Sequence, residues 1–147
     1  MEAKARAVRG AICFAFALTL VAWAPYAEAD DTRPVVIGEV GTKVTRARLD
    51  LPKALRRALE RELAALDVGR SSKRFVLSAS LVKLEGRKAA PGVACAVSAV
   101  LRERRSGAIR AIITGRAEAE FEGDEAELGA LDAAVHGAVA SVPAALQ

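Results

Sequence analysis

The stretch VACAVSAVLRERRSGAIRAIITGRAEA, residues 93–119, decides the fold. On each side of Arg105-Ser106-Gly107, small and apolar residues alternate with a second set, which is the period of a strand whose two faces differ. A three-residue loop with Gly107 in the left-handed conformation is a common hairpin solution, and it sets Arg104 opposite Ala108. Leu101 then faces Ala111, Ala99 faces Ile113, Val97 faces Gly115 and Cys95 faces Ala117, a wholly apolar set. A two-residue loop would put Arg116 opposite Val97. Burial selects against that alternative, because a one-residue slip carries every side chain to the other face. The second face of the hairpin holds Arg102 opposite Arg110, Val100 opposite Ile112, Ser98 opposite Thr114 and Ala96 opposite Arg116.

Working outward, residues 75–84 alternate in the same way, with Phe75, Leu77, Ala79 and Leu81 on one face. Val76, Ser78, Ser80, Val82 and Leu84 fall on the other. Residues 35–40 read as a further strand. Between these two lies a helix over 51–66, with Asp50 as its cap and Pro52 in the first turn, where a missing N–H costs nothing. Its Leu51, Leu55, Leu59, Leu63 and Leu66, with Ala54 and Ala58, form one apolar stripe at helical spacing. A closing helix starts at the capping-box-like Asp124-x-x-Glu127 and runs to Val142, where Pro143 stops it. Leu128, Leu131, Val135, Val139 and Val142 make its inward stripe. The order β-α-β-β-β-α predicts an α+β two-layer sandwich, with both helices on one face of a four-stranded, mainly antiparallel sheet.

The first 29 residues stand apart from this plan. Lys4, Arg6 and Arg9 precede an apolar run from Ala11 to Trp23, and Ala27-Glu28-Ala29 forms an A-x-A cleavage site. That sequence of features is a secretory signal peptide, and the run is shorter than the roughly 20 apolar residues of a membrane span. Cys13 lies inside the run, so it marks no lipid anchor. The expectation is a leader over 1–29 and a single exported domain over 30–147, periplasmic or secreted, with no transmembrane segment in the processed chain.

Composition narrows the chemistry. Trp23 and Tyr26 both lie in the leader, Asn is absent, and the aromatic rings beyond residue 29 are Phe75, Phe121 and His136. Cys95 is the one cysteine left after processing, and its apolar strand context reads as a plain buried thiol. His136, at the edge of the closing helix's apolar stripe with Asp132 one turn earlier, has no nucleophile context such as G-x-S-x-G. One His and one Cys cannot build a zinc set. Glu118, Glu120, Glu122, Asp124, Glu125 and Glu127 lack the spacing of a calcium loop and suit a wet strand face followed by a helix N-terminus. No glycine pattern cradles phosphate. The α-β-β-β-α order from Leu51 matches that of a double-stranded-RNA-binding domain, but the acids opening the closing helix would repel phosphates, and two Phe are thin support for single-strand stacking. No enzyme activity, cofactor, metal or nucleic acid is expected.

What remains is the second sheet face. Val76, Val82, Val100 and Ile112, edged by Arg102 and Arg110, form a partly apolar surface uncharged in its middle, whereas a solvated face is usually richer in charge. These six are the candidate partner-binding residues. The stretch from Leu51-Pro52-Lys53-Ala54-Leu55 to Leu66, and then Phe75-Val76-Leu77-Ser78-Ala79-Ser80-Leu81, resembles bacterial envelope-assembly modules of the curli-secretion lipoprotein and penicillin-binding-protein activator type. That resemblance implies assembly or scaffolding work without catalysis. The expected function is a non-enzymatic envelope module that docks an envelope protein or a second copy of itself through this face. The alternative is a small-ligand or lipid carrier with a pocket between helices and sheet.

Overall fold

A computed structural model describes residues 33–69, 72–87 and 91–147; the leader read over 1–29 lies outside them. The elements are β1 (Val35–Thr42), α1 (Leu51–Ala65), β2 (Phe75–Gly86), β3 (Val93–Glu103), β4 (Ile109–Ala119), α2 (Asp124–Ala140) and α3 (Val142–Leu146). The sheet runs β1-β2-β3-β4, with β1 parallel to β2 and the other pairs antiparallel. A parallel neighbour requires a crossover, and α1 provides it. Both long helices pack on one face, giving the expected two-layer α+β sandwich.

Local chemistry sets the helix boundaries. The Asp50 carboxylate accepts the Lys53 backbone N–H at 3.2 Å, and Pro52 sits in the first turn of α1. Leu51, Leu55, Ala58 and Leu59 are buried, with Leu63 and Leu66 partly so. The start of α2 differs from expectation. Gly123 caps it without a side-chain hydrogen bond, and Glu127 turns instead to Arg46, at 3.2 Å. Arg46 also donates to the Leu84 carbonyl, so one guanidinium ties the loop before α1 to both β2 and α2. Pro143 does not end the chain's helical path. It opens α3, again in a first turn that needs no proline N–H.

The face of α2 that packs inward is broader than the expected stripe. Leu131, Val135 and Val139 are buried, as is Val142 at the start of α3, but so are Ala130, Ala134 and Ala138, whereas Leu128 is only half-buried. The alanines recur every four residues, and Ala134 and Ala138 stand against Gly115 of β4. A Cβ on Gly115 would collide with the Ala134 carbonyl oxygen and stand 2.9 Å from the Ala138 nitrogen. The helix backbone therefore rests directly on the strand. Among the described residues, Asp124–Leu146 has the length and apolar composition of a membrane span. Here it breaks at Ser141 and spends its apolar side on the sheet.

Two irregularities reposition side chains. A bulge between Leu81 and Lys83 takes Val82 out of the ladder with β3. Leu84 consequently returns to the core, fully buried, and does not project from the open face as the simple alternation had it. At the hairpin, Glu103 N–H donates to Ala108 O at 2.8 Å, so four residues, Arg104 to Gly107, form the loop. Gly107 has the expected positive φ, at 70°.

Gly115→Val should lower stability by about 3 kcal/mol, since the added side chain meets backbone that has no rotamer with which to yield. Gly129→Ala, in α2 where a Cβ meets nothing within 4 Å, should instead raise it by up to about 1 kcal/mol. Urea unfolding of the two variants reads both.

Candidate functional site

From Leu101 inward the hairpin register is the expected one: Leu101↔Ala111, Ala99↔Ile113, Val97↔Gly115 and Cys95↔Ala117. Its apolar face lies under α2. The opposite face is not covered by either helix. Pairing across the strands sets its rows: Val36, Val76, Arg102 and Ile109; then Ser78, Val100 and Ile112; then Gly41, Ser80, Ser98 and Thr114; then Lys83, Ala96 and Arg116. The first two rows form an apolar patch of Val36, Val76, Val100, Ile109 and Ile112 with Arg102 among them. Ile109 is 58% exposed and Ile112 69% exposed, large values for side chains whose neighbours on the same face are apolar.

Four of the six sequence candidates therefore come together: Val76, Val100, Arg102 and Ile112. Two do not. Arg110 is not opposite Arg102, because a bulge between Leu101 and Arg102 shifts the ladder and pairs Arg102 with Ile109. The Arg110 guanidinium donates to the Ala145 carbonyl of α3 at 3.1 Å, away from the patch. Val82, 43% exposed, sits at the β2 bulge, nearer to Ala96 than to Val100. The residues that strand alternation missed are Val36 and Ile109. The signal for Ile109 was the loop length, since a four-residue loop leaves one residue of β4 unmatched before regular pairing begins.

The interior between helices and sheet is occupied by Leu55, Leu59, Leu77, Leu81, Leu101, Leu131 and Val135, all essentially inaccessible. At the edge of this layer a cleft of ≈ 350 Å³ opens between β1 and α1, lined by Val35, Ile37, Glu60 and Leu63 among others. A shallow depression of ≈ 620 Å³ adjoins the open face, lined in part by Gly41, Ser78, Ser80 and Ser98.

His136 is not paired with Asp132. Its Nδ1 lies 2.8 Å from Glu62 Oε2 across the α1–α2 contact, while Asp132 binds Arg61 at 3.0 Å. That hydrogen bond, with the Asp132 charge behind it, pushes the Arg61 pKa upward. The four side chains form a polar network joining the helices, with Glu62 half-buried and the other three exposed, and include no nucleophile. Cys95 is buried, and loss of solvation pushes its thiol up to about 11. Among the described residues no group of three or more His, Cys, Asp or Glu is placed to hold a metal. Glu118 pairs with Arg87 at 3.3 Å.

No family model and no curated protein matches the chain. Solved structures of similar chain path include a "putative lipoprotein" from Caulobacter crescentus CB15, 13% identical, covering 77% of this chain and 85% of that one at a TM-score of 0.44. The hypothetical protein CT253 from Chlamydia trachomatis is 12% identical over 56% of this chain and 70% of its own, at 0.41. The PelC dodecamer from Paraburkholderia phytofirmans is 18% identical over 77% and 86%, at 0.43. Likenesses at this level carry no inference about function.

The Cys95 thiol gives a pH signature. Its folded pKa is raised, so the native state holds a proton that the unfolded chain releases. Its contribution to stability is complete below pH 9.0 and is lost as pH rises toward about 11. Comparing urea midpoints of wild type and Cys95→Ala across that range should show the wild type falling more steeply, and Ellman's reagent should react with Cys95 only after unfolding.

Proposed function

We propose that this protein is a non-enzymatic module of the bacterial envelope that binds a partner protein through the open face of its sheet. The observation that carries this reading is the contiguous patch of Val36, Val76, Val100, Ile109 and Ile112, left bare by both helices. Contiguous apolar surface on a soluble domain marks an interaction site more often than scattered exposed residues do. An apolar centre with arginine in it also has the composition of a protein interface. Arg102 within the patch and Arg105 at the adjacent hairpin loop set the complement: apolar side chains bordered by carboxylates. The envelope location rests on the leader read at 1–29. That the module is not an enzyme rests on the sequence, which sets neither Cys95 nor His136 in a nucleophile context.

The test compares proteins crosslinked in envelopes to wild type and to Val100→Glu, with Lys53→Glu on the helix side as a control. A single envelope protein should be lost with Val100→Glu alone, and in purified form should bind that variant at least about tenfold more weakly, a difference of about 1.4 kcal/mol. Equal capture by all three forms overturns the reading.

A further inference from the structure

The chain leaves β1 at the end of the sandwich away from the β3–β4 hairpin loop, and α1 starts from that end. Because β1 and β2 run parallel and the other pairs antiparallel, β4 finishes at the same end, where α2 begins. Arg46 marks the middle of this end, bound to Glu127 of α2 and to the Leu84 carbonyl of β2. On either side of it the charges separate by sign. Lys43, Arg48 and Lys53 lie on the β1 and α1 side, Glu120, Glu122 and Asp124 on the β4 and α2 side, and all six are exposed. Since β1 and β4 are the two outer strands, about 14 Å, or three strand spacings, separates the two groups. None of the six side chains has an ion pair among the described residues. Phe121 stands among the acids, 76% exposed, whereas the other large exposed apolar side chains, Val82, Ile109 and Ile112, lie within strands.

A surface divided in this way limits what can meet it. A flat anionic bilayer or a long acidic polymer drawn to the bases would be repelled by the acids beside them, and a cationic surface meets the converse. A fitting partner carries the two signs in the opposite order. We propose that this end is a homodimer interface, on which a second copy of this chain meets the first end to end about a two-fold axis normal to the sheet and close to Arg46. That rotation exchanges the β1 and β4 sides, so the basic group of each copy faces the acidic group of the other. An axis running from β1 to β4 would instead set bases on bases. Each contact occurs twice by symmetry, as an isologous interface requires. Phe121 comes against the second copy's basic group, where a cationic side chain covers its ring face. The end of one small domain offers less than a standard interface area, so the dimer is weak and salt-dependent. Val100 and Ile112 stay uncovered in both copies, so the inference stands independently of which partner the open face takes.

The purified protein, followed by sedimentation from about 1 to 300 µM, should approach twice the mass of one chain in about 50 mM salt. It should return to the mass of one chain in about 1 M salt, where screening shortens to about 3 Å. Lys43→Glu with Arg48→Glu makes both sides of the end acidic, and Glu120→Lys with Glu122→Lys makes both basic. All four positions are exposed and outside every helix and strand, so the fold is kept. Each double variant alone should dimerise at least about tenfold more weakly than wild type. An equimolar mixture of the two should form a heterodimer within about threefold of wild-type affinity, because both contacts again join opposite signs. Phe121→Ser should weaken the dimer at least about threefold. Val100→Glu should leave the mass unchanged, which separates failure of this interface from failure of the docking face. A monomer at the highest concentration in low salt, a dimer indifferent to either charge reversal or to Phe121→Ser, an assembly larger than two, or double variants that stay apart when mixed each overturns the proposal.

Discussion

The Ala134 carbonyl oxygen occupies the place where any side chain on Gly115 would begin, and the sandwich depends on that contact. Because the strand offers no Cβ there, α2 settles backbone to backbone on β4. Ala130 and Ala138, one turn to either side, keep the approach close. With α2 held at this depth, Leu131, Val135 and Val139 reach the buried side chains of β3 and the core leucines of α1. Close packing of this kind leaves no slack in the helix layer, and the filled interior is its result.

Packing both helices on one side fixes the fate of the other. A four-stranded sheet with its helical connections on a single face must leave its second face to solvent or to a partner. Here that face is not uniformly polar. Serines and Thr114 occupy its middle row, and Val36, Val76, Val100, Ile109 and Ile112 gather toward the hairpin end. The bulge at the start of β4 sharpens this division. It turns Arg110 toward α3 and brings Ile109 onto the open face, making the patch more apolar than uninterrupted alternation would have done.

Much of this was legible residue by residue. The apolar set Cys95, Val97, Ala99 and Leu101 against Ala117, Gly115, Ile113 and Ala111 allowed one register, and that register is present. The α1 stripe and its Asp50 cap were equally readable, because capping and helical spacing are local properties. The failures share a cause. Leu84, Arg110, Ile109 and Val82 all lie at or beyond bulges, where one unmatched residue reverses the facing of every later side chain in the strand. Glu127, read as part of a capping box, and His136, with Asp132 one turn earlier, took Arg46 and Glu62 from distant segments, which short-range patterns do not encode.

By itself the sequence determined the element order, the two-layer class, the hairpin register and which face of each regular segment is buried. Those properties arise from period, turn chemistry and burial over a few neighbouring residues. Only the tertiary structure decided where the register shifts fall in each strand pair, how closely α2 rests on Gly115, and that Val36 from β1 joins Ile109 from β4 in one row of the open face. These depend on contacts between segments separated by tens of residues, whose free energy is settled only when the whole sheet closes against its helices.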